Sequence, residues 1–463
     1  MDATVTNTAD GLPTAVRSRA MVALSIAMGL AVLDSVVANI ALPSIATELA
    51  ITPAQSIWVV NSYQVAMTVS LLPFSSLGDI RGYRFVYLLG LAVFTLASLA
   101  CGLAESLPML VAARLVQGIG AVGITSVNMA LVRYIYPRAR LGQGMGIIGL
   151  VVAAAAAAGP SVAAAILSVA TWQYLFLLNV PLGGLALVMA LRSVLQTQGA
   201  GHRFDFTGAT LNAAGFVLMF LGAANGLGHG DNPDPSLAEL AAGMVIFGVF
   251  VRLQMSVAAP MLPVDLLMLP AFAMSAVTSV CAYVCQTLAF LALPFYFLYV
   301  GGRSQIETGL LLTPWPAALI VVAPLAGRLA DRYPAGLLCG AGLAALTVGM
   351  LLLLRVPAEA GLTDVIWPML ISGTGFVMFQ SPNNRAFMAS APHERSGACA
   401  GMMTTSRLVG QTLSGLIVAL VFALAGAGKA AIASGAIATL TIGAVFAAAA
   451  MGVSFWRLCA PQR

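Results

Sequence analysis

Two charged residues stand where charge is costly. Asp34 lies roughly 14 residues into the first long apolar stretch, and Arg114 lies inside the fourth. A charged side chain at the centre of a membrane-spanning helix costs about 2.5–3.5 kcal/mol on insertion scales, so each needs a use or a partner. A carboxyl group in an apolar setting can bind and release a proton, and it can attract a cationic solute. The guanidinium of Arg114 stays protonated, so it cannot carry a proton itself, but it can tune a nearby carboxylate. Structural alternatives are that Asp34 caps a helix break, or that the two residues form an ion pair fixing helix register. No other acid is as deep, since Glu48 and Glu105 fall at stretch ends.

Uncharged polar residues are spaced through other apolar stretches: Asn39, Gln64, Gln117, Gln286, Gln380 and Asn384, with Tyr63, Phe290 and Trp315 interleaved. A mostly apolar site with a few polar groups suits a lipophilic small molecule. Gly159-Pro160 inside the fifth stretch removes a backbone hydrogen bond and bends a helix. Asp79, Gly82 and Arg84, and later Asp331 and Arg332, sit at stretch ends, where plain solvation is the simplest role and Gly82 permits a tight turn. Nothing favours catalysis or a metal. There is no phosphate-binding loop of the Walker type, His202, His229 and His393 lie in loops without ligand spacing, and the six cysteines are scattered.

The elements that carry these residues follow from composition. Hydrophobic residues make up 60% of the chain and charged ones only 8%, against about a quarter charged in a soluble domain, so most of the surface must face lipid. A span needs about 20 mostly apolar residues. Fourteen candidates run near 20–43, 57–76, 84–104, 108–132, 141–168, 171–193, 207–228, 237–257, 270–300, 306–326, 335–355, 364–388, 397–426 and 430–456. With an even number of spans and a cytoplasmic N-terminus, seventeen arginines fall on the cytoplasmic side, Arg407 among them. Only Arg303, Arg355 and Lys429 fall on the other, which is a strong positive-inside bias. These basic residues form no patch, which argues against nucleic acid as a partner. The polar segment 1–19 precedes an uncleaved first span.

A repeat divides the chain. Arg140, Gly142 and Gly146 recur as Arg395, Gly397 and Gly401 at an offset of 255 residues, and Leu77-Gly-Asp79 recurs as Leu329-Ala-Asp331 at 252. Both offsets fit two parallel six-span halves, 20–195 and 270–456, with a two-helix hairpin, 206–257, inserted between them.

Five stretches resemble the fourteen-helix drug:proton antiporter branch (EmrB/QacA-like) of the major facilitator superfamily. They are LDSVVANIALP at Leu33–Pro43, Trp58 with Tyr63, the loop SSLGDIRGYR at Ser75–Arg84, Arg114-Leu-Val-Gln117-Gly118, and Gly159-Pro160. Gly327-Arg-Leu-Ala-Asp331-Arg332 resembles a second copy of the loop. The first loop departs from the pattern at Ser75, Ile80 and Tyr83, and Ala163-Ala164 replace a glycine pair.

The resemblance implies an all-α integral membrane protein of the major facilitator fold, two six-helix bundles around a cavity that opens alternately to either side. It implies Asp34 as the coupling carboxylate tuned by Arg114, and Asp79, Gly82, Arg84, Asp331 and Arg332 as latches between the halves. Gly159-Pro160 would be a sealing element. The expected function is proton-coupled export of small lipophilic compounds, cationic ones included, by a protein driven by the proton gradient without a cofactor. It is expected to be monomeric in a bacterial-type inner (plasma) membrane, with both termini cytoplasmic. The alternatives are a metabolite or siderophore exporter or importer of the same fold and, from another class, a membrane-embedded enzyme or sensor.

The charge asymmetry places the acidic loop 228–236 outside the cell. A cysteine introduced at Asn232, in a background without reactive native thiols, should react with an impermeant thiol reagent added to intact cells. Labelling only from the cytoplasmic side would overturn the span count.

Overall fold

The computed structural model of the chain describes residues 11–137, 140–197, 204–225, 235–255, 264–330, 332–357, 360–390, 396–426 and 428–459. Without water, a chain satisfies its backbone polar groups only inside helices or closed barrels, and these apolar runs become helices. The first half comprises α1 (Thr14–Glu48), α2 (Pro53–Arg81), α3 (Tyr83–Gly102), α4 (Leu107–Ile135) and α5 (Leu141–Leu167). Its last span is broken into α6 (Gln173–Leu177) and α7 (Asn179–Ser193). A hairpin, α8 (Phe206–Asn225) and α9 (Pro235–Gln254), and the short α10 (Val264–Leu267) precede the second half. There α11 (Pro270–Phe295) runs on into a π turn at Tyr296–Val300. Next come α12 (Gln305–Leu312) and α13 (Pro314–Ala330), one span broken at Thr313, then α14 (Ala335–Leu353), α15 (Leu362–Ala389), α16 (Ser396–Ala425) and α17 (Lys429–Cys459).

Twelve spans among the described residues are long and apolar enough to cross a membrane. The hairpin is not among them, and its α8 holds a shorter apolar stretch, Phe206–Gly222. The sequence expectation of fourteen spans therefore stands at twelve plus a hairpin. The first span is also longer than its apolar core suggests, because α1 extends well past 20–43 at its N-terminal end.

The two halves share one packing pattern. In the first, α1 packs on α5 and α7, α2 on α4, and α3 on α4 and α7. In the second, α11 packs on α16 and α17, α13 on α15, and α14 on α15 and α17. Small residues bring the α3–α4 backbones together: a Cβ at Gly120 would stand 2.3 Å from the Phe94 nitrogen, and one at Gly90 would stand 2.5 Å from the Gly123 Cα.

Two seams join the halves, α2 against α16 and α5 against α12 and α13, with α1 meeting α11 between them. We call the face where α1 begins and α17 ends the terminal face. The opposite face is tightly closed. There Thr47 and Tyr299 hydroxyls lie 2.7 Å apart, Tyr299 donates to the Pro43 carbonyl at 2.9 Å, and Gln305 donates to Ser44 at 2.7 Å. Ser161 and Thr313 close the α5 seam at 3.1 Å. One apolar core runs through both halves on this side, from Val37 and Leu42 to Val418 and Phe422. Among the described residues, the hydrogen bond between halves nearest the terminal face is Thr68 to Thr412, 3.0 Å, at mid-depth.

The hairpin lies against the α2–α16 seam. Its helices pack through Phe216 and Phe247, whose ring centroids are 5.0 Å apart. Asn212 donates to the Val69 carbonyl at 2.9 Å, and Phe220 meets the edge of Trp58 at 5.1 Å. Asp205 closes its base, accepting from the Gly208 amide at 2.7 Å and from Gln254 at 3.0 Å.

The α2–α3 corner turns at Gly82, with φ of 91° and the Thr197 carbonyl oxygen 2.2 Å from where a Cβ would stand. A left-handed backbone and a clash with main chain leave alanine no relaxed place. Gly82→Ala is expected to lower stability by about 1–3 kcal/mol, the cost of one strained residue. The check is thermal unfolding of the purified protein in detergent, and an unchanged midpoint would show the corner to be pliable.

Candidate functional site

Asp34 on α1 and Arg114 on α4 form a salt bridge in the interior, Nη1 to Oδ2 at 2.5 Å, with both residues almost fully buried. Arg114 and Gln117 are three residues apart on one face of α4, so both side chains reach the same carboxylate. Gln117 donates to Oδ1 at 2.9 Å and to Ser98 at 2.8 Å, while its own oxygen accepts from Arg114 at 2.7 Å. Asn179 adds a third donor to the carboxylate, 2.8 Å from Oδ1. It is the first residue of α7, immediately after the break at Leu178, and the break is what turns it inward.

The guanidinium is held on its other sides as well. Its Nε donates to the Val59 carbonyl at 3.0 Å, and its centre lies 4.2 Å above the Tyr63 ring and 5.4 Å from that of Phe176. Nη2 is buried without a hydrogen-bond partner, and the ring faces partly compensate it through cation–π attraction. A narrow crevice with no room for water reaches the carboxylate between Leu33, Val37, Val162, Ile166 and Asn179. Chemically this is a charge pair whose carboxylate is shared by α1, α4 and α7. Removing the negative charge releases arginine from its partner and unties three helices.

The other residues singled out from the sequence divide into groups. Tyr63 and Gln117, expected in the cavity wall, belong to the ion-pair cluster. Gln64 is buried with its oxygen unpartnered, and the Asn39 oxygen is likewise unpartnered. In the second half, Gln380 donates to the Tyr283 hydroxyl at 2.6 Å. Phe290 meets Trp315 edge-on at 5.5 Å, and Trp315 is fully buried in the common core. Gln286 and Asn384 are half-buried.

Of the latch residues, Asp79 accepts from the Tyr83 hydroxyl at 2.7 Å. Arg84 donates to the Leu191 carbonyl at 2.8 Å, and its amide donates to Thr197 at 3.3 Å. These contacts tie the corner within the first half and do not bridge the halves. Arg332 is exposed, and Asp331 lies outside the described residues. Gly159 and Pro160 sit in the α5 seam: a Cβ at Gly159 would stand 2.6 Å from Val36, and one at Gly309 would stand 2.6 Å from the Pro160 oxygen. They form part of the closed side.

Residues 24–415 match the Major Facilitator Superfamily. The chain belongs to that superfamily. It is 50% identical over 414 residues to an uncharacterized transporter, YebQ, of Escherichia coli K12, covering 89% of this chain and 90% of that one. It is 29% identical over 396 residues to the multidrug resistance protein Stp of Mycobacterium tuberculosis, covering 85% and 73%. To the riboflavin transporter RibZ of Clostridioides difficile it is 27% identical over 391 residues, 84% of each. Among solved structures, a bacterial homologue of the lysosomal transporter Spinster superposes with a TM-score of 0.69 at 16% identity, covering 96% of this chain and 97% of that one, which shows the shared fold.

One residue of this superfamily member escaped the sequence reading. Arg407 was counted with the basic loop residues, yet it lies six residues, about 9 Å, inside the span Gly401–Ala425. The signal was present, since 407 falls within the apolar run 397–426, but the tally of loop charges absorbed it. Arg407 is half-buried and, among the described residues, has no hydrogen bond or salt bridge.

Removing one partner of a buried ion pair costs about 3–5 kcal/mol, because the other charge is left uncompensated. Asp34→Asn therefore carries a stability penalty, since Arg114 cannot shed its proton. The double variant Asp34→Asn/Arg114→Met should recover much of that loss. Thermal unfolding of the two single variants and the double variant tests this coupling. Additive losses would show that the pair does not act as a unit.

Proposed function

We propose that this protein is a proton-coupled exporter of small lipophilic compounds working by alternating access. The observation that carries this reading is the buried Asp34–Arg114 pair in a superfamily of transporters. The carboxylate is the deepest acid of the first half and ties α1, α4 and α7 together. A proton arriving at Asp34 cancels the charge that holds Arg114, Gln117 and Asn179, and so links a chemical event to helix rearrangement. Superfamily membership makes transport the process that this linkage serves. A proton gradient is then the energy source, with no cofactor.

The fourteen-helix antiporter branch is part of the proposal. The hairpin would supply the last two crossings. Asn212 meets Val69 and Phe220 meets Trp58, so α8 runs antiparallel beside α2 over the same depth of the membrane. Both termini would face the cytoplasm of a bacterial-type inner membrane, in line with the basic residues on that side, and the protein would work as a monomer. The closed seam at Pro160 and Thr313 then faces outward, with Gly159-Pro160 as its seal. The Asp79 and Arg84 corner and the Asp331 and Arg332 corner would serve as latches when the terminal face closes. Export and drug substrates draw on the multidrug resistance relative Stp. The riboflavin transporter RibZ keeps a metabolite within the same reading.

The test is reconstitution into vesicles with an imposed pH gradient. The wild type should accumulate a transported dye against its gradient, and Asp34→Asn should fall to the level of protein-free vesicles while retaining downhill exchange. Undiminished gradient-driven accumulation by Asp34→Asn at matched folded protein would return Asp34 to a structural role.

A further inference from the structure

Among the described residues, two charges lie well inside the spans of the first half and one, Arg407, well inside a span of the second. Asp34 and Arg114 neutralise each other, and the carboxylate's remaining capacity is taken by Gln117 and Asn179. Asp34 in this state has nothing left with which to meet a cation. Arg407 is in the opposite condition. It is a permanent cation within a span, half-buried, and without a carboxylate or hydrogen-bond acceptor among the described residues.

Its position is the meeting line of the halves. On α16, Arg407 shares a face with Gly410 and Ser414, three and seven residues on. That face packs on α11, where a Cβ at Gly410 would stand 2.7 Å from the Val280 oxygen and Ser414 donates to the Val284 carbonyl at 3.2 Å. The adjacent Leu408 is buried in the first half's core, and Thr412 meets Thr68 of α2. On the same face, a Cβ at Gly410 would stand 3.0 Å from the Cβ of Tyr283 on α11. Tyr283 in turn holds Gln380 and lies edge-on to Phe376 at 5.3 Å. Arg407 thus stands on the terminal-face side of the seal, one helical turn from where Gly410 meets Tyr283, with Gln380 and Phe376 beside that tyrosine.

We infer that Arg407 is the counter-ion for the substrate, and that the substrate is a lipophilic compound bearing a carboxylate or similar monoanion. The inference rests on the proposed transport role and gives it a substrate class. A cation approaching Arg407 meets positive charge and, among the described residues, no acid bonded to it. An anion meets a planar guanidinium suited to bidentate pairing with a carboxylate, while its apolar body lies against the aromatic rings.

The experiment uses two xanthene dyes of similar size and opposite charge, fluorescein (anionic) and rhodamine 6G (cationic). Their binding to the full-length protein in lipid nanodiscs is read by fluorescence anisotropy, with empty nanodiscs subtracted. The wild type should bind fluorescein about tenfold or more tighter than rhodamine 6G, the scale of one charge-assisted hydrogen-bonded contact. Arg407→Gln should abolish that preference, and Arg407→Lys, which keeps the charge, should retain most of it. Thermal unfolding confirms that each variant is folded. A wild type that prefers the cation or binds neither dye, or an Arg407→Gln variant with the preference intact, overturns the inference. Gradient-driven flux separates the two claims. Rhodamine 6G export indifferent to Arg407→Gln leaves the transport role standing and removes this one. Arg407-dependent fluorescein binding that no pH gradient can drive does the reverse.

Discussion

A charge buried in the bilayer has no solvent to fall back on, and the Asp34–Arg114 pair is organised around that constraint. The arginine cannot lose its proton, so its partner, a carbonyl from α2 and two aromatic rings must surround it permanently. The carboxylate is the member of the pair that other helices share. Its donors come from α4 and α7, and its own helix is α1. Helices that touch lipid with their outer faces are therefore held at one point by a single shared carboxylate. Buried pairs of this kind are weak evidence for stability, since desolvation offsets much of the attraction.

The second half repeats the helix arrangement of the first without repeating the chemistry. Corresponding helices pack in corresponding pairs, but α15 has no arginine where α4 has Arg114, and α11 has no acid within its apolar length. Its polar groups include amides, hydroxyls, the guanidinium of Arg457, which donates to Ser275 and Asn383, and that of Arg407. A common scaffold thus holds a buried charge pair in one half and, among the described residues, none in the other. The arginine-rich terminal side and the closed opposite face follow the same two-fold relation, since the α2–α16 and α5–α13 seams are each other's counterparts.

Much of this was legible in the sequence because the membrane permits so few solutions. Apolar runs of span length, two matching offsets and the charge asymmetry lead to twelve spans in two halves. The cost of intramembrane charge singles out Asp34 and Arg114 before any contact is known. Tertiary placement was less accessible. Tyr63 and Gln117 look like cavity residues on their helices, yet both are drawn into the ion pair, because a buried arginine recruits every acceptor and ring in reach. Asn179 was missed altogether, since it becomes a ligand of the carboxylate only through the break at Leu178, and Leu177-Leu178-Asn179 reads as continuous helix. Arg407 was seen but misassigned, as a charge in an apolar run was tallied as if it lay in a loop. The hairpin satisfies a hydropathy count over 207–257 that the described helices do not reach.

The hairpin makes the two seams unequal. Helix α8 touches α2 from one half and α16 from the other, and Phe250 of α9 is buried with Leu72 of α2 and Met402 of α16. That edge of the molecule behaves as the spine of a book. The free edge is the α5–α13 seam, which is pinned near Pro160 and Thr313. Under the proposed alternating access, rocking of the halves about the spine would open that one edge, and a compound dissolved in the lipid leaflet would meet a doorway on one side of the protein and a wall on the other. For an apolar solute that concentrates in the bilayer, the direction of approach would then be set by two helices at the outer edge of the α2–α16 seam.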